Sequence, residues 1–392
     1  MVTALTWTIV ALALVLLVPA LVLWIECLAS VFPLKRIRPR LEEGLKTTIL
    51  VPAHDESASI GSTVSALREQ IREEDQILVV ADNCTDDTAQ RAVAAGARAI
   101  ERQDPEHRGK GYALRFGVES MSSDPPDVVI VVDADCRLSP GSVETLAAQA
   151  VALNRPVQGE YTFDPPTRTP LTMVSALALL VRNRARPRGL RRLGLPCQLT
   201  GSGMAFPWKM MRDAPELRAH LVEDLLLGAE LAIAGTPPFH SVEAEVTSEL
   251  PDNSGAALQQ RKRWEHGQLG TLIGHGPKLL GLGIRRLNVG LMALGADLIV
   301  PPLALLCGVS LLLLGAALAV VLAGAPWALV AAPGLVLGVI ASAVGLAWLF
   351  HGRREVPFRY LLAAPLYLLW KVPLYLSFSL GRREREWRRT DR

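Results

Sequence analysis

Two kinds of apolar run alternate with polar stretches along this chain, and their lengths separate them. Residues 5–25 (LTWTIVALALVLLVPALVLWI) carry no charge and are long enough to cross a hydrocarbon core of ~30 Å. Two further long runs lie within 288–323 and 328–350, the first interrupted by Pro301-Pro302, which predicts a kink or a surface-lying start. Between these oily ends the runs shorten. Segments 47–52, 76–81 and 127–133 read as buried β-strands, and 97–101 as a short strand. Helical stretches at about 57–71, 86–94 and 110–121 alternate with them. Continuous apolar strands separated by helices predict an α/β domain with a mostly parallel sheet. In such sheets ligands bind beyond the carboxyl ends of the strands. His54, Asp55, Glu56, Asp82, Asn83, Asp133 and Asp135 all fall at those ends.

Charge then orients the apolar runs. No Lys or Arg precedes residue 5 and no small-residue cleavage site follows the first run, which favours an anchor over a secretory signal. Lys35, Arg36, Arg38 and Arg40 come next, so the following domain is expected on the cytoplasmic side. The segment 360–380 is apolar but broken by Pro365, Lys371 and Pro373, with basic residues on both flanks. It is expected to be re-entrant or surface-lying, with a fourth full span as the second choice. Residues 171–181 followed by Arg182, Arg184, Arg186 and Arg188 have the composition of a helix on an anionic membrane surface; a buried core helix is the alternative. The resulting organisation is a span within 1–32, an α/β domain over 33–275 with interface helices at about 167–190 and 256–286, spans over 287–350, and a tail segment over 351–392.

Composition adds exclusions. Half of the 392 residues are hydrophobic, and the net charge of +3 is accounted for by clusters beside the apolar runs. No basic stripe with a reading motif argues for nucleic acid. The five cysteines are scattered without a CxxC pair, which argues against a zinc site or a disulfide framework.

Three motifs carry candidate chemistry. Asp133-Ala134-Asp135 places two carboxylates on one side of an extended segment, where a hard divalent cation would relieve their repulsion. A solvated turn capping a helix near Ser139 is the alternative. Glu223-Asp224 begins a helical stretch and offers a general base for an acceptor hydroxyl; a plain acidic helix surface competes with that reading. Gln260, Arg263 and Trp264 share one helical face. Trp264 can face a sugar ring and Arg263 can hold a diphosphate, while the same helix could instead touch lipid headgroups. Lys110, between Gly109 and Gly111, sits where a helix N-terminus could approach phosphate or where the chain simply turns.

As an ordered set these residues resemble the family 2 glycosyltransferases, and within them the membrane-embedded branch of cellulose, chitin, hyaluronan and poly-N-acetylglucosamine synthases. The resemblance covers roughly 45–275 and rests on VPAHDES at 51–57, Asp82, the DxD, Glu223-Asp224 and Gln260-x-x-Arg263-Trp264. It implies a GT-A fold and inverting transfer from a nucleotide sugar, commonly a UDP-sugar, with Mg2+ or Mn2+. By that likeness Glu56 and Asp82 contact the nucleoside, Lys110, Asp133 and Arg263 the donor, Asp135 and Asp133 the metal, and Asp224 is the base. Glu223, Gln260, Trp264, Gly201 and Ser202 border the acceptor. The expected setting is a bacterial-type inner membrane with a cytoplasmic catalytic domain, a growing β-linked polysaccharide as acceptor, and a second copy or an export subunit as partner. Transfer of one sugar to a membrane lipid is the alternative; a non-catalytic synthase subunit and a nucleotidyltransferase stand further off.

Overall fold

The computed structural model describes residues 2–40, 42–165, 167–214, 223–249 and 254–380, without the side chains of 223, 254–257 and 259. Two compact units divide them. One comprises 34–166 and 195–267; the other comprises 1–33, 167–194 and 268–383.

The first unit is built on an eight-stranded sheet among the described residues, ordered β3-β2-β1-β4-β7-β6-β8-β5. Strands β1 (Thr47–Ala53), β2 (Gln76–Asp82), β3 (Arg98–Arg102) and β4 (Val128–Val131) are the four expected from sequence. They run parallel, with Ile49 opposite Ile77 on one side and Ile130 on the other. The uniform apolarity of β1, β2 and β4 follows from burial on both faces, whereas β3 (RAIER) is an exposed to half-buried edge strand. One layer packs Ile49, Val51, Val79 and Ile130 against α2 (Ile60–Arg68) and α5 (Ser142–Leu153). The opposite layer packs Leu50, Leu78 and Val131 against α4 (Lys110–Ser120) and α9 (Glu223–Ile233).

The other half of the sheet departs from the expected parallel pattern. Strand β7 (Met204–Pro207) runs antiparallel to β4 and to β6 (Val157–Asp164). Strand β8 (Phe239–Glu249) is parallel to β6 and antiparallel to β5 (Cys136–Leu138). The sheet is therefore mixed. A register shift between Gly159 and Glu160 breaks the β6–β8 ladder, so that Tyr161 and Phe163 continue past the bulge.

Among the described residues, the second unit holds four helices long and apolar enough to cross a membrane: Val2–Ala29, Leu303–Leu322, Trp327–Gly352 and Phe358–Ser379. Pro301-Pro302 divides the expected long run into α11 (Val289–Leu298) and α12 (Leu303–Leu322), because proline removes a backbone donor and blocks helix continuation. The segment expected to be re-entrant forms a 22-residue helical stretch that qualifies on length and composition as a fourth span. The basic residues after 380 lie outside the described residues.

The arginine-rich stretch differs from a surface helix. α6 (Pro170–Leu180) opens with a reciprocal Thr169–Thr172 capping box and joins α7 (Arg186–Arg192) through one π-helical turn. Leu177, Leu180, Val181 and Ala185 pack into the core of this unit with α1 (Val2–Ala29). Arg186 is only 5% exposed; it donates through Nε to Glu26 Oε2 at 2.6 Å and through Nη2 to the Asp297 carboxylate and to its carbonyl at 2.8 Å. Burying one guanidinium between two carboxylates satisfies charges that apolar packing alone would not tolerate. Arg186 thus faces inward, contrary to its expected place on a lipid surface.

Candidate active site

The site begins at the carboxyl ends of β1 and β2. His54 Nδ1 lies 2.6 Å from the Asp82 carbonyl, tying the two strand ends together. Asp82 lines the cleft, but its Oδ1 also accepts from Arg102 Nη1 at 2.6 Å and from Asn83 Nδ2 at 3.0 Å. Arg102 fixes that carboxylate while also bonding Asp104 and the His107 carbonyl. Glu56 lines the same cleft and accepts from Ser59 Oγ at 2.9 Å.

Asp55 does something different. Its backbone has φ of +52°, and its carboxylate accepts from Thr85 N at 2.6 Å and from Asp86 N at 3.3 Å. Asp86 in turn receives Ser57 N at 3.1 Å and Thr88 N at 3.0 Å. Burial works against ionisation of Asp86, yet the Thr88 and Ser57 hydrogen bonds overcome it and bring its pKa down to about 2. These residues lock the loops that carry Glu56 and Asp82.

Strand β4 ends at Val131, two residues earlier than the sequence suggested. Asp133 and Asp135 therefore sit in a tight turn, closed by Cys136 N donating to the Asp133 carbonyl at 3.0 Å. Both carboxylates still line one cleft. Ser202 Oγ accepts from Asp133 N at 3.1 Å, and Ser248 Oγ donates to Asp135 Oδ2 at 3.4 Å.

The loop 200–203 closes over this turn. Gln158 pins it, accepting from Thr200 N at 2.8 Å and donating to the Ser202 carbonyl at 2.9 Å. Gly201 has φ of +96°, a conformation open to glycine at little cost. A Cβ built there would lie 3.3 Å from Asp224 Oδ2, 3.6 Å from Lys110 Nζ and 4.0 Å from Asp133 Oδ2. Residues from α9, α4 and the β4–β5 turn, distant in sequence, thus converge at one glycine. Lys110 Nζ also pairs with Asp133 and donates to the Gly201 carbonyl at 2.6 Å. The side chain of Glu223 lies outside those described.

Helix α10 (Ser254–Arg285) supplies the remaining wall, with Gln260, Arg263 and Trp264 all lining the cleft, as their shared helical face predicts. Trp264 packs on Phe163 with centroids 5.5 Å apart, and Phe163 packs on Tyr161 at 4.5 Å. Gln260 is 5% exposed, and among the described residues its buried Oε1 has no hydrogen-bond partner. A buried acceptor left unsatisfied costs free energy, and a hydroxyl delivered by a ligand would recover it.

The donor set can be tested against a divalent cation. Ligand atoms of Asp133, Asp135 and Cys136 all lie within 4.8 Å of one another. Burial pushes the Cys136 thiol up to about 12, so it stays protonated and packs against Tyr161. Two carboxylates beside an open cleft fit a hard oxygen-seeking ion whose other ligands come from phosphate and water. A second acidic group, Asp55 with Cys84 and Asp86, has its carboxylates taken up by loop amides.

Sequence reasoning passed over Arg102, Gln158, Tyr161, Phe163 and Ser248. Tyr161 and Phe163 carried a signal, since their i, i+2 spacing in an alternating YTFD segment marks one face of a strand. Arg102 carried none, because its partner Asp82 lies twenty residues away across a strand pairing.

Comparison with known proteins places this geometry. The chain is 36% identical over 98 residues to a glucosyl-3-phosphoglycerate synthase of Mycolicibacterium paratuberculosis, covering 24% of this chain and only 29% of that protein. It is 28% identical over 193 residues to an uncharacterized glycosyltransferase of Mycobacterium tuberculosis, covering 43% of this chain and 83% of that one. The fold is similar to a mannosyltransferase from Pyrobaculum calidifontis solved with GDP-Man and Mn2+, at 17% identity and a TM-score of 0.56 over 95% of this chain and 100% of the other. The curated relatives therefore include glucosyl-3-phosphoglycerate synthases, outside the polysaccharide-synthase branch that the motifs resemble. The model of glycosyltransferase-like family 2 matches residues 45–267, more than half of the chain and the whole span of the cleft, and the chain belongs to that family.

Proposed function

We propose that this chain is an inverting glycosyltransferase that moves a hexosyl group from a nucleoside diphosphate sugar, UDP- or GDP-linked, to an acceptor presented at a membrane. The observation that carries this reading is the meeting of Asp224, Lys110 and Asp133 around Gly201 beside the cleft. Bond breaking at the anomeric carbon sends negative charge onto a diphosphate, while bond formation needs a hydroxyl deprotonated on the opposite face. Lys110 and Arg263 would take the first charge, and Asp224 would take the hydroxyl proton. Asp133 and Asp135 would hold Mg2+ or Mn2+, which when bound adds positive charge beside the leaving diphosphate. Glu56 and Asp82, on strand ends held by Arg102 and His54, would receive the nucleoside.

Trp264 would present its ring to the acceptor and Gln260 Oε1 would accept from one of its hydroxyls, with Gly201 and Ser202 forming the edge of that subsite. Four candidate spans in the same chain support a membrane-borne acceptor and a membrane location. The stacked Tyr161–Phe163–Trp264 strip favours an acceptor with a sugar face, as in extension of a glycan chain. Transfer of one sugar to a lipid is the reading closer to the single-transfer relatives, and product length from labelled donor separates the two.

Asp224→Asn tests the mechanism. Nucleoside diphosphate release with UDP- and GDP-sugars, Mn2+ and membrane extract is expected to fall by roughly 10²–10⁴-fold, the usual share of a general base. Donor binding by calorimetry is expected to persist. Unchanged turnover in this variant would remove Asp224 from the reaction.

A further inference from the structure

Lys110 is placed where a metal-site cation would otherwise be felt. Its ammonium pairs with Asp133, donates to the Gly201 carbonyl at 2.6 Å, and lies at the point Asp224 also approaches. Two of the groups suited to a divalent ion, Asp133 and Asp135, belong to this same turn. A carboxylate oxygen already neutralised by an ammonium binds a second cation poorly, and the two like charges repel at this range. The ammonium rides on a four-carbon flexible stem at the first position of α4. Lys110 lines the cleft, and 17% of its side chain is exposed. A diphosphate entering the cleft can therefore reach the ammonium and draw it from Asp133.

From this geometry we infer that Lys110 is an interchangeable cation: it occupies Asp133 while the donor is absent and transfers to the diphosphate when the donor arrives. The exchange makes metal and donor bind together. Metal alone must compete with the ammonium for Asp133; the diphosphate draws the ammonium away and vacates that carboxylate. The inference deepens the glycosyltransferase reading and rests on it.

The test uses the full chain in detergent and the affinity of Mn2+, followed by its paramagnetic resonance signal, with and without UDP. In the native protein UDP is expected to tighten Mn2+ binding strongly. Lys110→Met removes the competing charge at similar volume. Mn2+ alone should then bind roughly tenfold tighter, the order expected for losing one like charge a few ångströms away in a partly wet site. The gain produced by UDP should shrink correspondingly. Lys110→Arg keeps the charge and should leave Mn2+-alone affinity near that of the native chain, which separates electrostatics from misfolding. Equal or weaker Mn2+-alone binding in Lys110→Met overturns the exchange while leaving the glycosyltransferase reading intact. Failure of the native protein to bind Mn2+ even with UDP would instead overturn the metal-assisted reading beneath it.

Discussion

At the residue scale, several acidic side chains with similar sequence signatures have been given different work by their neighbours. Asp55 and Asp86 spend their carboxylates on loop amides, whereas Asp133 and Asp135 keep theirs toward the cleft. Asp86 makes the distinction measurable. Its carboxylate is held ionised down to about 2, against an ordinary value of 3.8, by the Thr88 and Ser57 bonds acting against burial. A lowered folded pKa means that the stabilisation is complete above 3.8 and vanishes as pH falls toward 2. Asp86→Ala is expected to cost about 1–2 kcal/mol near neutrality, a discounted figure for hydrogen bonds to a half-buried charge. The thermal-unfolding gap between variant and native chain should narrow as pH drops from about 4 to about 2. A gap independent of pH would mean that the carboxylate does not secure this loop.

At the scale of elements, the parallel half of the sheet was legible because β1, β2 and β4 are buried on both faces and read as unbroken apolar runs. The antiparallel half was not. β7 has four residues, β6 is buried over its first five residues and half-buried or exposed after them, β8 mixes buried with half-buried positions, and β6 and β8 find their partners far along the chain. Local pattern cannot announce such pairings. The arginine-rich segment was misjudged for a related reason: composition shows charge, but only packing shows that Glu26 and Asp297 wait beneath Arg186. Gly189 lets α7 approach α1 there, since a Cβ would fall 1.9 Å from the Glu26 carbonyl oxygen. Arg186→Met should cost about 3–5 kcal/mol by stranding two buried carboxylates. Adding Glu26→Gln and Asp297→Asn should recover much of it, read as survival time in detergent at fixed temperature. No difference between the single and triple variants would show that the charges are not coupled.

At the scale of the whole molecule, the chain enters and leaves each unit more than once, at 33/34, 166/167, 194/195 and 267/268. The catalytic unit is therefore not one continuous stretch: the stretch 167–190, expected as interface helices within 33–275, belongs to a segment 167–194 that groups with the other unit. The ordered motifs survived this interleaving: Asp82, Asp133, Asp135, Gln260, Arg263 and Trp264 line one cleft, with Asp224 meeting Lys110 at Gly201. The account depends most on where a cation settles in that arrangement. Anomalous scattering from crystals grown with UDP and Mn2+ locates it directly. The prediction is one manganese peak at bonding distance, about 2 Å, from Asp133 and Asp135, between them and the diphosphate. A peak at Asp55 and Asp86 instead, or UDP bound with no metal beside Asp135, would contradict it.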